Sequence, residues 1–100
     1  MKKFHIDPKE GFEVLAKTKR SEVATMVIHP GDKEGGPDNK HKGDQWLYVL
    51  SGKGTALVEG KEVSLERGVL LEIPEGERHE IKNTGQTDLR TINFYSAVVF

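Results

Sequence analysis

The chain of 100 residues contains no cysteine, which excludes disulfides, thiolate metal sites and cysteine nucleophiles together. No apolar run approaches the ~20 residues that a membrane-spanning helix needs. The opening Met1-Lys-Lys-Phe-His-Ile-Asp-Pro8 lacks the apolar segment of a secretory signal, so the expectation is a soluble, cytoplasmic protein. An excess of charge of one sign is missing too. Fifteen Lys and Arg stand against sixteen Asp and Glu, for a formal charge of −1. Lys40 and Lys42 flank His41, but no dense basic run exists to bind nucleic acid. Helical periodicity is absent throughout.

What is present is a series of short strand-like runs separated by turn residues. One spans Glu22 to Ile28 and is stopped by His29-Pro30-Gly31, where proline and glycine end a ladder. Residues 31–44 read as a long loop, and loops of that length inside a small domain are commonly functional. Gln45 to Leu50 is the most apolar strand; Ser51 to Gly54 turns it. Thr55–Glu59 and Glu62–Leu65 follow, joined at Gly60-Lys61 as a hairpin. Val69–Ile73, a strand opening at His79, a turn at Asn83–Gln86 and a last strand, Leu89–Tyr95, complete the series. Residues 1–20 show neither period cleanly and read as an arm packed on the domain or on a partner, leaving 21–100 as one domain. Such a pattern indicates an all-β sandwich or barrel.

The densest signal is Gly68-Val-Leu-Leu-Glu-Ile-Pro74-Glu-Gly76-Glu-Arg-His79-Glu-Ile-Lys-Asn83. An apolar run ends at a Pro-x-Gly turn, and the next strand begins with a histidine three residues later. Alternation puts His79 and Ile81 on one face and Glu80 and Lys82 on the other. If Ile81 faces a core, His79 faces it as well. An imidazole so placed is a metal ligand, a catalytic group or a hydrogen-bonded core residue. Asn83 reads as a stabiliser of the turn after it, and His5 as a surface residue.

This spacing closely resembles the second motif of the cupin superfamily. Upstream, Asn39-Lys-His41-Lys-Gly-Asp-Gln45-Trp-Leu-Tyr48-Val-Leu-Ser-Gly52 resembles the first, which normally reads His-x-His, three or four residues, Glu, six residues, Gly. Asn39 stands where the first histidine would be, and Gln45 where the glutamate would be. The resemblance implies a double-stranded β-helix, or jelly roll, with Gln45, Leu47 and Val49 facing the barrel interior. It also implies a site in which Asn39, His41, Gln45 and His79 hold a divalent transition metal: Zn, Ni, Cu, Fe or Mn. Imidazoles suit such ions, whereas a neutral amide oxygen offsets less of their charge than a carboxylate does. Asp44 supplies a carboxylate to the site only if a bulge re-aims it.

Two functions stay open on these residues. One is a metal-assisted enzyme on a small molecule, of the dioxygenase or isomerase kind, for which no general base can be named. The other is a non-catalytic binding or structural module whose histidines hydrogen-bond to Asn39 and Gln45 in a small polar pocket. Small-molecule ligands are expected as partners, and nucleic acid and membrane are not. A homodimer is expected as well. Trp46, Tyr48 and Leu50 occupy the face of their strand opposite Leu47 and Val49, where a wet sheet would carry polar residues. The arm (Phe4, Phe12, Leu15) or a second subunit would cover them, and the closing Ala97-Val-Val-Phe100 adds apolar area.

Overall fold

The computed structural model describes residues 1–36 and 43–96. Its elements are β1 (Phe12–Lys17), β2 (Ser21–Ile28), β3 (Lys33–Gly36), β4 (Asp44–Ser51), β5 (Lys53–Val58), β6 (Lys61–Glu66), β7 (Leu70–Ile73), β8 (His79–Lys82) and β9 (Leu89–Ser96). They form two antiparallel sheets, ordered β1-β2-β9-β4-β7 and β3-β8-β5-β6. The expected all-β jelly roll is the observed fold.

The alternation of each strand decides what lies between the sheets. In β4, Gln45, Leu47 and Val49 are buried while Trp46 and Tyr48 are exposed. Register carries that inward face across the sheet, Leu47 lying between Asn93 and Leu71. The core cluster of Met26, Ile28, Leu47, Val49, Ala56, Leu65, Ile81 and Leu89 draws on both sheets. Leu47 is wholly buried, and truncating such a side chain to alanine costs about 2–5 kcal/mol.

Two strands arise where the sequence reading placed an arm and a loop. β1 lies inside residues 1–20, and its register against β2 slips between Val14 and Ala16. That bulge breaks the period-two pattern by which a strand is recognised. β3 lies within the 31–44 segment as Lys-Glu-Gly-Gly, a composition that reads as loop because glycine has no side chain to pack. It pairs with β8, and Gly36 falls opposite His79. The β5–β6 turn comes at Glu59-Gly60, one residue before its expected place.

Gly52 and Gly54 close the far end of the barrel, where β4 passes into β5. A Cβ at Gly52 would overlap the carbonyl oxygen of Asp88. At Gly54 it would lie 2.5 Å from the carbonyl oxygen of Lys82 and 2.7 Å from Leu89 Cδ2. Only glycine lets these backbones approach so closely. Asn83 completes the closure: its Nδ2 donates to the carbonyls of Ile28 (2.7 Å) and Thr87 (2.8 Å), and its Oδ1 accepts from Gly85 N (2.8 Å). It serves the turn, as its motif position suggested.

Candidate functional site

The opposite end of the barrel gathers the start of β4, the end of β7, the start of β8 and the end of β9. The chain crosses between sheets there, through the turn after Pro74, where Glu77 N donates to the Pro74 carbonyl at 3.2 Å. Glu75 anchors that turn to β4: its backbone N donates to Asp44 Oδ1 (3.0 Å), and its Oε1 accepts from Gly43 N (2.8 Å). This Asp44 oxygen is therefore spent on the turn. No bulge re-aims Asp44 inward, because the Asp44-to-Val49 register with β9 runs without interruption.

Gln45 sits on the inward face with 3% of its surface exposed. Its Nε2 donates to Asn93 Oδ1 at 3.0 Å, whereas its Oε1 is buried and accepts no hydrogen bond among the described residues. An orphaned buried acceptor costs about 1–3 kcal/mol, so its persistence calls for an explanation. His79, on the inward face of the other sheet, is 4% exposed. Its Nδ1 lies 3.2 Å from the Glu77 carbonyl oxygen, which can only accept. Nδ1 therefore carries a proton and donates it to that carbonyl.

Three further polar residues line the same inward face and were not singled out from the sequence. Thr91 and Asn93 are fully buried, and Tyr95 lies in register between Gln45 and Glu22. Burial, with the carboxylates of Glu22 and Glu34 added, pushes the Tyr95 hydroxyl up to about 12. It is thus a protonated, hydrogen-bonding phenol at neutral pH. The usable signal was parity with Leu89, since every second residue of β9 from Leu89 faces inward.

Of the four expected metal ligands, the structure brings Gln45 and His79 to one end of the barrel on facing sheets, while Asn39 and His41 lie outside the described residues. So does the closing 97–100 segment. Both flanks of 37–42 belong to this end, Gly36 opposite His79 and Gly43 bonded to Glu75. Among the described residues, no three His, Cys, Asp or Glu side chains are grouped as a metal site. His5 is exposed. His29 is at the far end of the barrel, held between Asp88 (Nδ1–Oδ1 2.7 Å) and Glu10 (Nε2–Oε1 2.8 Å). No helix is long and apolar enough to cross a membrane among the described residues.

The cupin domain model matches residues 24–95. The chain belongs to the cupin family. A curated relative of this cupin, the oxalate-binding protein of Thermotoga maritima, is 39% identical over 67 residues. That match covers 66% of the chain but 54% of the relative, so the chain spans about half the length of the protein it resembles. Among solved structures, a protein of Thermotoga maritima described as a predicted oxalate decarboxylase superposes with a TM-score of 0.78 at 29% identity, covering 87% of this chain and 79% of its own. An RmlC-like cupin of Methanocaldococcus jannaschii, at 18% identity, gives 0.81 over 95% and 87% of the two chains and speaks for the fold alone.

Proposed function

We propose that this cupin binds a small molecule at the Gln45–His79 end of its barrel through a divalent transition metal. The supporting observation is the buried oxygen of Gln45, which accepts no hydrogen bond among the described residues, at the barrel end that also holds the buried imidazole of His79. Amide oxygen and imidazole are electron-pair donor groups that suit Zn, Ni, Cu, Fe or Mn. Gln45 and His79 would hold the ion with His41 and Asn39, whose flanking residues belong to this end of the barrel. When bound, such an ion supplies a Lewis acid that receives an anionic ligand. Asn93 holds the Gln45 amide. The names of the relatives make a small carboxylate such as oxalate the first ligand to try.

Binding without turnover is the reading favoured here, because an amide in the carboxylate position offsets less of the ion's charge. Calorimetric titration with Zn²⁺, Ni²⁺ and Mn²⁺ tests the site. About one ion per chain is expected, with binding lost in His79→Ala. Equal binding by the wild type and His79→Ala would discard this centre. Assaying the metal-loaded protein for oxalate consumption separates an enzyme from a binding module.

We further propose that the protein pairs through the outer face of the five-stranded sheet. Trp46 lies opposite Phe94 and Tyr48 opposite Leu70 across the strands, and these four are 37%, 41%, 37% and 56% exposed. The arm does not cover them. It is fastened further along the sheet, where Arg90 donates to the Pro8 carbonyl and to Asp7 Oδ1, each at 2.9 Å. Two-fold pairing buries such a face at least complication. Sedimentation at micromolar concentration should give a dimer, and Phe94→Asp a monomer. A monomeric wild type would overturn the pairing.

A further inference from the structure

Gln45 does not hold its amide alone. The Met26 carbonyl oxygen can only accept, and Thr91 Oγ1 donates its single proton to it at 3.2 Å. The Thr91 oxygen therefore turns its lone pairs toward Asn93, whose Nδ2 donates to it at 3.1 Å. With Nδ2 so directed, Asn93 Oδ1 is the group left facing Gln45, and it accepts from Nε2 at 3.0 Å. Each link dictates the polarity of the next. Running the chain backwards would turn the Thr91 proton to Asn93 Oδ1, and the bond to Met26 would be lost. The forward arrangement makes one hydrogen bond more, and it is the arrangement that leaves Gln45 Oε1 without a partner among the described residues. Thr91, Asn93 and Gln45 are all buried, with exposures of 0%, 0% and 3%, so water does not compete for these groups.

We infer that Thr91 and Asn93 are positioning residues that lock the Gln45 amide with its oxygen toward the barrel interior, making the site a receptor for a cation. This deepens the metal-binding function proposed above and rests on it for the identity of the ligand. An amide free to flip would present N–H donors half the time, and donors favour an anion. The locked oxygen favours a metal ion, so oxalate enters only after the ion.

The orientation can be read without any metal. In the wild-type protein, the Gln45 side-chain NH₂ protons should exchange slowly by nuclear magnetic resonance and show Overhauser contacts within the β4–β9 interior. In Thr91→Val the two amide orientations become nearly equal, so these signals should broaden or double; Thr91→Ser, which keeps the hydroxyl, should leave them unchanged. Rapid exchange of the Gln45 NH₂ in the wild type would overturn the inference, whether or not a metal binds. If the amide is locked but Zn²⁺ and Ni²⁺ do not bind, the metal reading falls and the positioning role stands.

With metal, Thr91→Val should weaken Ni²⁺ binding at least about twofold, the cost of halving the competent fraction. The same change made on Gln45→Glu should not weaken it, because a carboxylate has no wrong way round. Equal losses on both backgrounds would mark Thr91 as a packing residue and overturn the inference. Finally, oxalate should bind the nickel-loaded wild type and not the metal-free protein. Equal binding to both would show a cavity built for anions.

Discussion

Two histidines at opposite ends of this barrel show how the same side chain is put to different uses. His79 begins β8 on the inward face, 4% exposed, with its Nδ1 at a main-chain carbonyl. His29 follows β2 at the other end, about half exposed, with a carboxylate at each ring nitrogen. A carbonyl partner holds a proton on Nδ1 and places no charge beside the ring. Two carboxylates demand a proton on both nitrogens, which makes His29 a cation and removes it as a ligand. The neighbours, not the residue type, separate a candidate ligand from a structural clamp.

The two ends differ in tolerance as well. At the His29 end the strands are drawn together until only glycine fits. At the His79 end the buried Gln45 oxygen has no partner among the described residues. The first contrast is broken by adding a single methyl. Gly54→Ala would place its Cβ 2.5 Å from the Lys82 carbonyl oxygen, a backbone atom that cannot swing aside. Overpacking of this kind costs about 1–3 kcal/mol and more where backbone must shift. A loss of roughly 3 kcal/mol is expected in urea unfolding. Unchanged stability would mean that the β4–β5 turn is looser than its geometry.

The next largest effect is expected at the other end, and it divides stability from binding. Gln45→Glu puts a carboxylate against Asn93 Oδ1 and removes the Nε2 donor. Without metal, the variant should lose about 1–3 kcal/mol at neutral pH, since a buried charge lacks its partner. The loss should shrink as the pH falls and the carboxyl group takes up a proton. Metal binding should tighten tenfold or more, about 1.4 kcal/mol, and restore the stability by linkage. Weaker binding by the variant would place Gln45 outside the ligand set.

These outcomes bear on what could be read from residues alone. The barrel was legible because Pro74, Gly76, Asn83 and the alternations about Leu47 and Ile81 are local signals. β1 and β3 were not, one for its bulge at residues 14–16 and the other for its two glycines. Gln45 and His79 could be assigned to one end of the barrel because parity groups each with its strand neighbours and the resemblance to the cupin motifs implies which face points inward. The relay through Thr91 and Asn93 could not be read. It depends on which strand lies beside β4, and β9 is about 45 residues away in sequence. Polar residues within a strand also look like surface until their register is known. Likewise, nothing near His29 in the chain announces Asp88 or Glu10; the fold brings them there.

The smallest effect tests the His29 half of the comparison. Hydrogen bonds to Asp88 and Glu10, foremost Asp88, raise its pKa from 6.5 to about 9. A group whose folded pKa is raised contributes stability that is complete below its unfolded value and disappears as the pH climbs through the folded one. The clamp should therefore be intact at pH 6.5 and lost by pH ~10. Because His29 is half exposed, solvent and salt screen it, and the global melting temperature should respond only slightly. The local response is sharper. Glu10 precedes Gly11, whose carbonyl accepts from Val27 N at 2.9 Å, so releasing Glu10 should loosen that bond. Protection of the Val27 amide, corrected for intrinsic exchange, should fall between pH 7 and 10 in the wild type. In His29→Gln it should be lower at pH 7 and flat across the range. Parallel profiles for the two proteins would show that the carboxylates hold the arm without the imidazolium.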